Sequence, residues 1–84
     1  MTEDLIRISV RDYIATELAD GVNLDELAYD LRLIDAGVLQ SMDVIRLLGH
    51  LEDSYDFSIQ PEDFRRENIA TIDAIARFVK QRIG

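Results

Sequence analysis

Eighty-four residues suffice for one small domain and are too few for two cores, so residues 1–84 are expected to fold as a single unit. Hydrophobic residues at 48% and charged residues at 31% have the balance of a globular chain, which excludes a disordered tail. Seventeen acids against nine bases leave a formal charge of −8, which repels nucleic acid and anionic membranes, and the absence of cysteine rules out disulfides and thiolate metal sites.

Glu3, Asp4, Arg7 and Arg11 interrupt the apolar residues at the N-terminus, so no signal peptide or membrane span is expected there and the cytoplasm is the default location. Thr2 is a suitable N-cap before Glu3 and Asp4, whose charges suit the positive end of a helix dipole. Ile6, Val10, Tyr13, Ile14 and Leu18 then recur at three- and four-residue intervals, which predicts a first helix with one buried stripe, ended by Asp20-Gly21.

From Val22 to Gln40 apolar residues are spread among acids and turn formers, which reads as a long ordered connection. Leu24, Leu27 and Leu31 share a face if a helical turn or two forms there, and Asp35-Ala36-Gly37 is a turn in which Gly37 supplies a positive φ. A connection this long in so small a domain usually carries function.

Ser41 reads as the N-cap of a second helix running to Tyr55, with Leu48, Leu51 and Tyr55 on its inner face. Pro61 to Asn68 reads as a short helical turn that packs Phe64 inward, with Ile69 completing the contact. Thr71 caps a last helix whose Ile72, Ile75, Ala76, Val79 and Ile83 form the buried stripe. No segment alternates with period two, so the expected fold is all-α: a small antiparallel four-helix bundle with three longer helices, one short helix and a long loop between the first two.

The residues do not suggest an enzyme. His50 is the only histidine, has no spaced partner that would make a triad or metal site, and reads as a solvated helix residue. Asp53, Asp56, Glu62 and Asp63 lack the glycine-centred spacing of a calcium loop and read as a solvated face. Ser41 differs because it joins a long ordered loop to the start of the clearest helix, where free backbone N–H groups and the positive dipole end tolerate an anion built on its hydroxyl; on position alone, a plain N-cap is the better account, since serine is among the preferred capping residues. Gly49 inside the helix costs about 1 kcal/mol relative to alanine, which fits either a shallow docking groove beside Ile45 or a tolerated glycine on a wet face. Met42 and Ile45, one turn apart, are an exposed apolar contact or, more in keeping with their hydrophobicity, partly buried.

The stretch Leu33-Ile34-Asp35-Ala36-Gly37-Val38-Leu39-Gln40-Ser41-Met42, together with the helix after it, resembles the acyl carrier protein family over essentially the whole chain. Members commonly place Asp-Ser-Leu after a glycine turn, with the serine carrying 4′-phosphopantetheine; here the triplet is Gln40-Ser41-Met42. Leu51-Glu52-Asp53 through Pro61-Glu62-Asp63-Phe64 resembles the family's second helix and its exit, and Asn68-Ile69-Ala70-Thr71-Ile72 the start of its last helix. The lead-in Gly37-Val38-Leu39 is more similar to stand-alone carriers for D-alanyl or other activated acids than to carriers within multidomain peptide synthetases.

The resemblance implies a non-catalytic, monomeric carrier. A phosphopantetheinyl transferase would load Ser41 from coenzyme A, and an acyl- or aminoacyl-loading (adenylating) enzyme or synthase would supply a fatty-acyl, polyketide or aminoacyl cargo held as a thioester, so that the reactive sulfur belongs to the added arm. Partner recognition would fall to Gln40, Met42, Asp43, Ile45, Arg46, Gly49, Glu52 and Asp53. Gln40 replaces the usual acid and Arg46 and His50 interrupt the acidic helix face, which implies weakened modification and a dedicated pathway. The rival reading is an unmodified acidic adaptor in which Ser41 is only a cap.

Overall fold

In the computed structural model, residues 2–19 and 22–84 are described; the expected helix end at Asp20-Gly21 lies outside them. Helix α1 spans Glu3–Tyr13, and its start is fixed as the sequence suggests: the Thr2 hydroxyl accepts the Leu5 N–H at 3.2 Å, with Glu3 and Asp4 in the first turn. Ile6, Val10 and Ile14 are fully buried. A wider π-helical turn over Ile14–Leu18 follows, closed by the Ala19 N–H donating to the Ile14 carbonyl at 2.7 Å.

Helix α2 spans Ser41–Tyr55, α3 Arg66–Ile69 and α4 Ile72–Ile83, and no strand occurs among the described residues. Thr71 caps α4 by accepting the Ala74 N–H at 3.0 Å, and Ile72, Ile75, Ala76, Phe78 and Val79 are buried along it. The packing of α1 on α4 is the most extensive contact between helices, as two buried stripes at helical spacing require. The Arg7 Nε–Asp73 ion pair at 2.8 Å ties the two helices at their starts. Helix α2 adds Leu47, Leu48 and Leu51 to the same core.

The connection between α1 and α2 is ordered, as expected, but holds only a single 3₁₀ turn, Leu24–Glu26. Three residues of turn cannot align Leu24, Leu27 and Leu31 on one face: Leu27 is fully buried while Leu24 is 42% exposed. The loop is pinned instead by backbone. The Leu33 N–H donates to the Ala70 carbonyl at 2.9 Å, and the Asp73 N–H to the Tyr29 carbonyl at 3.0 Å, so the entry and first turn of α4 hold the loop at two points. Arg11 of α1 lies over the Tyr29 ring at 4.9 Å.

The exit from α2 departs from expectation at Phe64. A 3₁₀ turn covers only Pro61–Asp63, and Phe64 leaves helical geometry with φ −74 and ψ 65, so its ring is 62% exposed rather than packed inward. Ile69 sits half-buried against the core, and Phe57 meets Phe78 edge to face at 6.0 Å. Arg82 of α4 fastens this segment by binding the Asp63 carboxylate and the Ser58 carbonyl.

Gly49 sits on the exposed side of α2, and a Cβ added there would meet nothing within 4 Å. Packing therefore does not require the glycine. Gly49→Ala is expected to stabilise the fold by about 1 kcal/mol, measured as a rise in the urea midpoint at unchanged slope.

Candidate functional site

The turn Ile34–Gly37 ends with Gly37 at φ 79, a left-handed conformation that a side chain would strain. The Val38 and Leu39 N–H groups then both donate to the Leu33 carbonyl, at 2.9 and 3.1 Å, and Leu39 is buried at 2% exposure. These contacts deliver the chain to the start of α2 at a fixed point.

That start corrects the sequence reading. Gln40, with extended backbone (φ −95, ψ 173), is the N-cap, and Ser41 is the first residue inside the helix. The Asp43 carboxylate accepts the Gln40 N–H at 2.9 Å, closing one side of a capping box. The Gln40 carboxamide donates to the Gly37 carbonyl at 3.4 Å. A signal was present in the sequence: an acid stands three residues after Gln40, whereas Val44 stands three after Ser41.

Ser41 is therefore exposed and relieved of capping, and among the described residues its hydroxyl has no hydrogen-bond partner. It stands at the first turn of a 15-residue helix, where backbone N–H groups lack intrahelical acceptors and the dipole favours negative charge. A phosphodiester at this hydroxyl would displace no existing bond, so the residues present fit a phosphopantetheine arm.

Around it, Met42 is 67% and Ile45 61% exposed, which corrects the expectation of partial burial: the inward positions of α2 are taken by Leu47, Leu48 and Leu51. Arg46 is exposed, and its carbonyl accepts the Tyr13 hydroxyl at 3.4 Å. The acids divide. Asp53 is exposed, but Asp43 serves the Gln40 N–H and Glu52 accepts the Ile59 N–H at 2.8 Å, holding the link beyond the left-handed C-cap Asp56 (φ 54). The tie from Glu52 spans seven residues across a turn, a spacing no helical pattern signals. Asp63, expected on a solvated face, accepts the Gln60 N–H and binds Arg82, and these two contacts, the backbone amide foremost, hold its carboxyl below the usual carboxylate range.

His50 is not a freely solvated side chain either. Its ring stacks on Tyr13 of α1 with centroids 3.7 Å apart and planes within 7°, and it lies within 3.3 Å of the Ser54 hydroxyl. Desolvation pushes its pKa below the ordinary 6.5, opposed by Asp53 and Glu17. The fold thus favours neutral imidazole: His50 makes its full contribution to stability above pH 6.5 and loses it as pH falls through the lowered folded value. Comparing urea midpoints from about pH 7.5 to about pH 5, wild type is expected to lose stability relative to His50→Phe, which keeps a stacking ring but does not titrate.

A family model described as "Phosphopantetheine attachment site" matches residues 9–79. The chain is 30% identical to an acyl carrier protein of Chlorobium luteolum over 82 residues, covering 98% of this chain and 100% of that protein. It is 36% identical to a D-alanyl carrier protein of Lactococcus lactis subsp. cremoris over 53 residues, 63% of this chain and 67% of that protein. In fold it is similar to a chain from a solved structure described as a crystal structure of FAD-dependent dehydrogenase, with a TM-score of 0.74, 24% identity, and 83% of this chain and 97% of that chain covered.

Proposed function

The chain belongs to the phosphopantetheine attachment-site family and is a phosphopantetheine-bearing carrier, and from that premise we propose that Ser41 is its point of attachment. The observation that carries the proposal is the exposed hydroxyl at the first turn of α2, freed from capping by the Gln40–Asp43 pair. In the loading reaction the Ser41 Oγ bonds to the phosphorus adjoining pantetheine in coenzyme A as the phosphoanhydride bond breaks. Adenosine 3′,5′-bisphosphate leaves with the bonding electrons, and the hydroxyl proton passes to a base of the transferase. When bound, 4′-phosphopantetheine supplies the thiol this chain lacks and so holds an acyl or aminoacyl group as a thioester.

The chain's own residues position and present the site without performing chemistry. His50 is engaged by Tyr13 and Ser54 and lies about 13 Å along α2 from Ser41, too far to take its proton. Members of this family work with modifying transferases and with synthases or loading enzymes. For this chain we assign recognition to the exposed side of α2, where Met42, Ile45, Arg46, Gly49 and Asp53 stand, with Gln40 beside the serine. Residues 1–84 act as one carrier domain in this reading, as a monomer in the cytoplasm, where coenzyme A is available. No helix among the described residues is long and apolar enough to cross a membrane.

Incubating the purified protein with coenzyme A and a broad-specificity phosphopantetheinyl transferase should add one phosphopantetheine to wild type and none to Ser41→Ala, read by intact mass. No addition to folded wild type with several transferases would favour the unmodified adaptor, a reading that rests on Gln40 standing where related carriers have an acid.

A further inference from the structure

Beside α2 lies an open groove of about 320 Å³ that the attachment of an arm does not by itself explain. Ile34, from the turn before Ser41, Leu48 of α2, Phe64 and Ile69 form its apolar walls. Leu48 is about 10 Å along the helix from Ser41, on the side toward α3, so the groove is within reach of a flexible arm but beyond a phosphodiester bonded to the serine itself.

The polar lining is unusual for a chain of net charge −8, because two adjacent arginines, Arg65 and Arg66, stand at the rim. The one acid in the lining, Asp63, is neutralised by Arg82. Arg66 pairs with Asp35 at 2.8 Å and Arg65 with Glu67 at 3.5 Å, but all four side chains are well exposed, the arginines at 66% and 65%. Such exposed pairs contribute only about 0–1 kcal/mol, so an incoming anion can share or displace them at little cost. Arg65 is also oriented by donating its Nε–H to the Glu62 carbonyl at 3.2 Å. An apolar slot with guanidinium groups at its rim suits a ligand whose body is aliphatic and whose end is a carboxylate.

Resting on the carrier reading, we propose that Arg65 and Arg66 make this groove select acyl cargo ending in a carboxylate over neutral acyl groups and over aminoacyl groups bearing an ammonium. The occupant is the end of the chain's own cargo, held by the two guanidinium groups against Ile34, Leu48 and Ile69. The same arginines repel an ammonium end, so the selection runs in one direction.

The test loads Ser41 with three stable pantetheine amides of equal chain length, hexanoyl, adipoyl and 6-aminohexanoyl, and follows the backbone amide shifts of Ile34, Leu48 and Ile69 by NMR. The adipoyl form is expected to populate the groove about two- to fivefold more than the hexanoyl form, the range set by an exposed charge pair, and the 6-aminohexanoyl form less than either. The double variant Arg65→Gln, Arg66→Gln should erase the adipoyl advantage while leaving the hexanoyl form unchanged, which also checks that the variant keeps its fold. Equal occupancy by all three, or preference for the hexanoyl or ammonium form, overturns the selection while the carrier reading stands. Failure of Ser41 to accept any of the three overturns both.

Discussion

The site depends on the anchoring of Leu33. Its side chain is fully buried, its N–H is held by the Ala70 carbonyl, and its own carbonyl receives the N–H groups of both Val38 and Leu39. One residue therefore joins the long connection to the chain entering α4 and closes the Gly37 turn that leads into α2. Without this pin the connection would be a polar loop with three large leucines to bury and no fixed endpoint. With it, Ser41 begins α2 at a defined place relative to the α1–α4 core.

A second economy concerns charge. Much of the acidity that the formal charge counts is used inside the molecule: Asp43 and Glu52 accept backbone amides, Asp63 and Asp73 bind arginines of α4 and α1, and Asp35 joins Arg32 and Arg66. The surface near Ser41 is consequently apolar and mixed in sign, with Met42, Ile45 and Arg46 outward and Gln40 neutral. A carrier that visits several enzymes benefits from weak, steered encounters, and net charge far from zero can speed association even where the docking face itself is not acidic. If recognition falls on α2 as proposed, partner choice would rest more on shape and apolar contact there than on a row of carboxylates.

Helices with strong apolar periodicity were legible from sequence, including both threonine caps and the buried stripes of α1 and α4, because burial there follows from spacing alone. The glycine turn and the ordered loop were legible as well. What escaped had causes that apolar spacing does not carry. Leu24 and Phe64 are hydrophobic but exposed: a three-residue 3₁₀ turn starting at Leu24 does not align it with buried Leu27, and Phe64 lies past the end of its own turn. His50 is held by Tyr13 on another helix, and Glu52 by an amide beyond a left-handed residue. At Ser41 the local role differs from the expectation, since serine's capping preference masks the acid placed three residues after Gln40. The groove arginines belong to a segment whose relation to α2 exists only once the chain has folded.

Trypsin offers a direct test of the attachment site, because cleavage after Arg32 and Arg46 releases Leu33–Arg46, in which Ser41 is the only hydroxyl-bearing residue. In protein isolated from the cells that make it, this peptide should carry the mass of one phosphopantetheine. Finding it unmodified throughout, or finding the added mass on the following peptide with Ser54 and Ser58, would contradict Ser41 as the point of attachment.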